Sequence, residues 1–226
     1  MAHTALLRLL QISDSSFPSG AFAFSNGLET LHKENEKFDA GSLYKLLVQQ
    51  IVPRWCDFDR YFIVSAYEAN SDTEKIFDLD WKCHTQNTNA ALADSSRRMG
   101  RSLLTVHRKL NTTGVDEFWQ KSSKLILNDE RGYQPVVLGL VGRGLELTKH
   151  EVETSALYGT ISSFFSAAIR LNIIGAIEAQ RLISCVITEL GEVLLKAPPS
   201  FPSSNALLSE IAVSRHRDSE LSLFSN

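Results

Sequence analysis

Residues 176–196 read AIEAQRLISCVITELGEVLLK, a stretch whose apolar side chains recur at the spacing of an α-helix. At 100° per residue, the following side chains fall within an arc of roughly 140°: Leu182, Ile183, Val186, Ile187, Leu190, Val193 and Leu194. Gly175 precedes the stretch, and Pro198 and Pro199 follow it as a stop signal. The pattern predicts a long amphipathic helix with one buried face.

Helical periodicity extends along the chain, whereas alternating strand patterns are scarce. Leu6, Leu7 and Leu10 predict a short first helix that ends near Ser13. Further helices are predicted over residues 40–52, 57–69, 87–110, 116–127, 134–147 and 151–171, with Pro53 closing the first of these. The last stretch is almost uncharged until Arg170, which is typical of a helix central in a bundle or at a subunit interface. The predicted fold class is all-α, a single-domain helical bundle over residues 1–196.

The segment APPSFPSSN, residues 197–205, is the one clear shift in composition. Its prolines and serines predict an extended spacer. The chain then continues to residue 226 and carries Leu221, Leu223 and Phe224 close to its end. Apolar residues near a terminus indicate docking, either on the protein's own body or on a partner. We therefore expect residues 197–226 to form a spacer and a partner-docking tail.

Composition excludes several classes of protein. The 226 residues are 43% apolar and carry a formal net charge of −3, whereas a general nucleic-acid binder needs a basic footprint. No apolar run approaches the roughly 20 residues that span a bilayer, and the N-terminal stretch lacks a signal-peptide pattern. Cys56, Cys83 and Cys185 are odd in number and far apart, which favours free thiols in a reducing cytoplasm.

Sequence motifs for catalysis or metal binding are missing. There is no G-x-x-x-x-G-K-[ST] and no G-x-S-x-G, and GLVGRGLE at residues 139–146 has glycines in the order expected where helices pack closely. No histidine lies three or four residues from another, so helical metal-ligand pairs are absent. Glu29 has no companion acid or base, which favours a capping or ion-pair role. These features favour an interaction protein over an enzyme, with no catalytic residue and no metal ligand.

Residues 15–29, SSFPSGAFAFSNGLE, combine aromatic residues with helix breakers. Pro18 and Gly20 break the chain after the first helix, and Phe17, Phe22 and Phe24 supply more apolar area than a solvent loop needs. We interpret the stretch as a structured joint between two helices, in part a docking surface, with most of its phenylalanines facing the core.

This joint resembles the N-terminal signature of the UreF family of urease accessory proteins. The matching positions are Pro18, Gly20, Phe22, Ser25, Gly27, Leu28 and Glu29. Three further segments agree in order: SSRRMGRSLL at 95–104, with Gly100 and Arg101; AAIRLNIIGAIEAQRLI at 167–183, with Arg170, Gly175 and Gln180; and the tail SRHRDSELSLF, with His216. Two positions depart from the family pattern. Arg217 stands where the family usually has Glu, and Ser222 where it usually has an Arg that could form bidentate bonds.

The resemblance implies a non-catalytic, all-α homodimer that works with other proteins and holds no cofactor of its own. Family members bind UreD, also called UreH, and the pair recruits the GTPase UreG. The assembly delivers nickel to apo-urease. The partner-binding residues expected here are Arg170, Gln180, His216, Leu221, Leu223 and Phe224. From the residues alone, two alternatives stay open: an enzyme with a buried helical active site, and a nickel-storing protein.

Overall fold

The computed structural model describes residues 2–20, 27–35, 38–123, 131–204 and 206–216, and within these ranges it contains helices and no β-strand. The all-α prediction is confirmed. The α-helices are α1 (Ala2–Ser13), α2 (Leu28–Glu34), α3 (Ala40–Leu46), α4 (Val52–Arg54), α5 (Arg60–Glu68), α6 (Thr73–Gln86), α7 (Ala90–Lys109), α8 (Val115–Ser123), α9 (Gln134–Gly144), α10 (Lys149–Arg170), α11 (Ala176–Leu190) and α12 (Leu207–His216). None of the helices in these ranges is both long and apolar enough to cross a membrane.

Helices α5 and α9 form the central pair, which makes the most extensive helix–helix contact among the described residues. On one side, α10 covers the pair and is itself covered by α1 and α11. On the other side lie α6, α7 and α8. The glycines of GLVGRGLE permit the central contact, because a Cβ on Gly139 would lie 2.3 Å from the Ile63 carbonyl oxygen of α5. The prediction that these glycines serve close helix packing is confirmed.

Pro53 does not close the helix that begins at Ala40, so that prediction was wrong. The chain stays helical from Ala40 to Glu68, with π-helical turns at Leu47–Ile51 and Trp55–Asp59 on either side of α4. Proline lacks an N–H and its ring collides with the carbonyl four residues earlier in a regular α-helix. The wider π turns give the proline ring room, and their shifted hydrogen-bond pattern accommodates the missing N–H of Pro53.

Several other boundaries differ from the sequence predictions. Helix α6 was not predicted, because Asp80 falls on its buried face beside Ile76 and Cys83 and interrupts the apolar pattern. Helix α8 begins at Val115, one residue before the predicted start, so Asp116 lies in its first turn and accepts from Arg108 Nε and from Gln120 Nε2. Residues 124–127 of the predicted helix lie outside the described ranges. The stretch 176–196 divides into α11 and a 3-10 turn, Gly191–Leu195.

Helix α1 forms as predicted, but it packs through a different face. Leu6, Leu7 and Leu10 are exposed, while Leu9 and Ile12 pack against the core. Arg8 Nη1 donates to the Leu145 carbonyl at 2.8 Å and fixes the helix at the end of α9. Helix α10 lies between the central pair and helices α1 and α11, in agreement with the bundle alternative predicted for its uncharged sequence. The hydrogen bonds between Thr148 and Glu151 form a capping box at its start.

Candidate interaction surface

The N-terminal motif and the C-terminal helix meet at Gly27. This residue has a φ of 80°, in the left-handed region that favours glycine. A Cβ there would lie 2.9 Å from the Ala212 Cβ and 3.0 Å from the Ser209 carbonyl oxygen, both in α12. Glycine therefore serves both the turn into α2 and the close approach of α12.

Glu29 is fully buried in the first turn of α2, and its Oε1 accepts from Lys33 Nζ at 2.9 Å. A carboxylate at this position also faces the positive end of the helix dipole. The ion-pair role predicted for Glu29 is confirmed. Its carboxylate is buried, whereas the Lys33 side chain that pairs with it is half-exposed.

The residues that follow α11, from Lys196 to His216, are here called the C-terminal arm. Arg60 of α5 anchors its start. Arg60 Nε donates to Glu153 Oε1 at 2.7 Å, Nη1 to the Val193 carbonyl at 3.1 Å and Nη2 to the Lys196 carbonyl at 2.8 Å. Both Arg60 and Glu153 are buried, at 3% and 4% exposure. The Arg60 guanidinium thus donates both to a buried carboxylate and to the backbone carbonyls at the start of the arm.

Three further hydrogen bonds hold the arm along the body. The Ser203 N–H donates to the Asp57 carbonyl at 3.0 Å. Asn89 Nδ2 donates to the Glu210 carbonyl at 2.8 Å, while the same side chain caps α7 through its oxygen. The Leu208 N–H donates to Gln50 Oε1 at 3.2 Å. The segment that the sequence predicts as a spacer is therefore bonded to the body at Ser203 and is followed by a helix that is bonded to it as well.

The outer face of the arm is apolar. Leu195, just before it, is 81% exposed, Phe201 is 67% exposed and Leu207 is 68% exposed. Leu208 and Ile211 are exposed too, whereas Ala206, Ala212 and Val213 are buried against the body. Helix α12 thus carries apolar side chains on both faces. Several large apolar side chains exposed within one short segment are typical of a protein–protein contact.

Arg170 and Gln180, two predicted partner-binding residues, lie on α10 and α11. Arg170 is half-buried at the end of α10, and burial lowers the pKa of its guanidinium, which stays charged because it starts so high. Gln180 lies exposed on α11, and its carbonyl accepts from Ser184 Oγ at 3.0 Å. Gly175 is the N-cap of α11, and a Cβ there would meet nothing within 4 Å, so nothing in the structure requires a glycine at this position.

The Pro18–Gly20 and Gly100–Arg101 motifs meet through α7. Ser102 Oγ donates to the Pro18 carbonyl at 2.7 Å, and Gly20 lies over Ser102. A Cβ on Gly100 would lie 2.0 Å from the Gly132 carbonyl oxygen, so only glycine lets α7 approach residues 132–134. The Arg101 guanidinium stacks on Trp119 of α8, 5.5 Å from the ring centre.

A cavity of about 400 Å³ lies between the Ile12–Gly20 segment, α7, α9 and α10. Its wall includes serine hydroxyls, the ion pair between Arg54 and Asp59, and His107. Burial raises the pKa of Asp59 despite the neighbouring guanidinium. Burial also lowers the pKa of His107 to about 4, so this imidazole is neutral at pH 7. Phe17 packs on the His107 ring at 5.4 Å, facing inward as predicted.

Metal-ligating side chains are scattered over the part of the chain that the structure describes. Within the described ranges, no group of three or more His, Cys, Asp or Glu residues could hold a metal ion. Burial raises the pKa of Cys56 to about 11 and that of Cys83 well above its usual value, so neither thiol ionises readily. Cys185 is exposed.

Part of the predicted site lies outside the described residues. This applies to Ser25, Phe22 and Phe24 in the N-terminal motif, and to Arg217, Leu221, Ser222, Leu223 and Phe224 in the tail. His216 ends α12, and its side chain is not described. The roles expected for these residues stay predictions.

Sequence reasoning missed the pair of Arg60 and Glu153. A signal was present, because each is an isolated charge on the apolar face of its helix, and buried charges require a partner. Which partner each one has depends on how α5 and α10 pack, and spacing along the chain does not reveal it.

The comparisons agree with the motifs. The profile of the UreF family matches residues 38–186. The urease accessory protein UreF of Trichodesmium erythraeum is 28% identical over 192 residues, covering 81% of this chain and 79% of the relative. The protein of the same name from Photorhabdus laumondii is 26% identical, covering 79% and 78%, and that from Yersinia pseudotuberculosis is 25% identical, covering 98% of both chains. This chain belongs to the UreF family of urease accessory proteins.

Proposed function

We propose that this protein is a non-catalytic scaffold of urease maturation in the cytoplasm. Together with a UreD/UreH partner it recruits the GTPase UreG and regulates GTP hydrolysis, so that nickel is inserted into apo-urease. The observation that carries the proposal is the family match over residues 38–186, with relatives named as urease accessory proteins along most of the chain. The nucleotide chemistry is assigned to UreG, because this sequence has no Walker motif.

The apolar outer face of the arm is the surface that we assign to the UreD/UreH partner. Fully burying an exposed Leu, Ile or Phe side chain contributes about 1.5–3 kcal/mol. Leu207, Leu208 and Ile211 project from a helix that the body already holds in place, so little chain entropy is lost when a partner covers them. Leu221, Leu223 and Phe224 are proposed as further anchors for the same partner.

The arm assignment is tested by co-purification of the tagged chain with UreD/UreH. Leu207→Glu with Ile211→Glu should abolish capture, because two carboxylates would be buried against the partner. Ile177→Glu with Ile187→Glu is the matched control, since these α11 residues are equally apolar and exposed. Deletion of residues 217–226 removes the tail but keeps the residues of α12. It tests separately whether Leu221, Leu223 and Phe224 contribute to capture of UreD/UreH. Full capture by the α12 variant would contradict the assignment.

Arg170 and Gln180 are proposed to contribute to the surface that receives UreG. Arg170→Ala removes a half-buried guanidinium at the end of α10, where a C-terminal cation also stabilises the helix dipole. We expect UreG recruitment and the GTPase rate to fall while the unfolding midpoint changes little. Arg170→Lys keeps a cation near the helix C-terminus but loses the planar guanidinium with its paired donors. This variant therefore separates stabilisation of the helix from recognition of UreG.

The homodimer is proposed to use the exposed face of α1. Leu6, Leu7 and Leu10 form an apolar stripe on a helix that otherwise packs on α10. Replacing all three with Ser should convert the dimer to a monomer in light scattering coupled to size exclusion. An unchanged mass would place the dimer contact elsewhere.

The function itself is tested in cells that express urease with its accessory proteins. Deleting this chain should leave urease protein in place but largely without nickel, and re-expression should restore both metal content and activity. The purified chain should bind nickel only weakly in equilibrium dialysis, because the described residues offer no cluster of ligands. Tight, stoichiometric nickel binding would favour the storage alternative.

A further inference from the structure

The outward face of α7 carries a dense group of basic side chains. Helix α7 has five basic residues and one acidic residue, in a chain whose net charge is −3. The basic residues fall within an arc of roughly 120° and span about 18 Å of helix. This basic stripe consists of Arg97, Arg98, Arg101, Arg108 and Lys109.

Among the residues that the structure describes, carboxylates pair with only part of the stripe. Arg97 pairs with Asp94, and Arg108 Nε lies 2.7 Å from Asp116 Oδ1. Arg98, Arg101 and Lys109 form no ion pair within the described part of the chain. Arg98 and Lys109 are exposed, so the stripe presents unpaired positive charge to solvent.

Trp119 of α8 holds part of the stripe in place. The guanidinium carbons of Arg101 and Arg108 lie 5.5 Å and 5.3 Å from its ring centre. Stacking on an indole restricts these long side chains while leaving their N–H groups able to donate. Arginines held in this way lose less entropy on binding, and Arg and Trp are enriched among the residues that dominate interfaces.

We propose that the basic stripe of α7, with Trp119, is a docking surface for an acidic segment of a partner protein. Guanidinium groups at helical spacing match carboxylates through bidentate hydrogen bonds. Nucleic acid fits less well, because one short stripe on a chain with a pI of about 6.1 provides few phosphate contacts. The surface lies on α7 and α8 and does not depend on the C-terminal arm or on the proposed function.

Binding is tested with the purified full chain and a fluorescein-labelled peptide of about 12 residues that carries Glu on one helical face. Anisotropy at low salt should show binding that weakens as salt is added. Arg98→Glu with Lys109→Glu should weaken binding at least tenfold, because both side chains are exposed and the fold does not need them. Lys45→Glu with Arg181→Glu makes the same change in net charge on α3 and α11 and should weaken binding less than threefold.

A second readout locates the contact. Peptide binding should change the tryptophan emission of the chain, and Trp119→Phe should remove most of that change while keeping an aromatic ring under Arg101. Trp81→Phe, the control, should leave the change in place. Loss of the signal in Trp81→Phe instead would overturn the assignment to α7.

Four other outcomes would overturn the proposal. Equal loss of affinity in the stripe and control variants would reduce the effect to net charge. Equal binding of the same peptide with Gln in place of Glu would show that carboxylates are not recognised. Tighter binding of a single-stranded oligonucleotide, with the same dependence on the variants, would make nucleic acid the ligand. Altered sedimentation of the stripe variant alone would mean that the stripe contacts a second copy of the chain.

Discussion

The central pair of helices and the C-terminal arm are held to the protein by different forces. The backbones of helices α5 and α9 are in direct contact, because Gly139 has no side chain to hold them apart. The arm is held by hydrogen bonds to its carbonyls and by small residues such as Ala212, while its outer leucines face solvent. Close packing gives a contact that does not open without unfolding, whereas a few hydrogen bonds leave an element that a partner can engage.

The largest expected effect is at Arg60, which joins the two regions. Arg60→Met should destabilise the protein by about 3–5 kcal/mol, because it leaves the Glu153 carboxylate buried without its cation and frees the carbonyls of the arm. Urea unfolding followed by circular dichroism measures this loss. The double variant Arg60→Met with Glu153→Leu should recover much of it, since no buried charge remains. A single variant that costs less than about 1 kcal/mol would mean that the pair is not buried in solution.

A smaller loss is expected within the central pair. Gly139→Ala should cost about 3 kcal/mol, the upper end for overpacking, because its Cβ would lie 2.3 Å from the Ile63 carbonyl oxygen. Gly159→Ala on α10 is the matched control, since its Cβ would meet nothing within 4 Å. This control should stabilise the protein by about 0.5–1 kcal/mol, the gain of Ala over Gly in a helix. Equal effects of the two substitutions would contradict the backbone contact.

The pH dependence of stability reports on α7, which contacts both α9 of the central pair and α12 of the arm. His107 of α7 has a folded-state pKa of about 4, below its ordinary value of 6.5, so the unfolded chain takes up its proton first. Stability should fall as the pH drops from about 6.5 towards 4, by about 2 kcal/mol at pH 5. His107→Gln should remove this contribution, whereas His3→Gln at an exposed position should not. Identical pH profiles for the wild type and His107→Gln would show that the imidazole is not buried.

The smallest effect is expected at the arm itself. Asn89→Asp keeps an oxygen that caps α7 but loses the Nδ2 donor to the Glu210 carbonyl and to Ser214 Oγ. The loss of about 1 kcal/mol should raise hydrogen exchange in α12 about fivefold and leave α7 unchanged. Asn89→Ala should affect both helices, because the cap is lost too. Equal protection of α12 in the wild type and Asn89→Asp would mean that apolar packing alone holds the arm.

Much of the candidate site could be predicted from motifs, and some of it could not. Gly27, Glu29 and Gly100 were singled out by their positions in family motifs, and each has a structural reason in the fold. The basic stripe went unnoticed as a surface because a sequence does not show which arginines have carboxylate partners. Trp119 lies 18 positions after Arg101 in the sequence. Only the packing of α8 on α7 brings the two side chains together.

By itself, the sequence determined the helical class, the approximate positions of most helices and the family, because periodicity, caps and motifs are local properties of the chain. The tertiary structure decided that the helix continues through Pro53, that Arg60 finds Glu153 and that the predicted spacer lies against α5 and its π turn. These outcomes depend on which surfaces meet. Burial makes an unpaired charge or an unsatisfied carbonyl costly, and the packed fold supplies the partner that removes the cost.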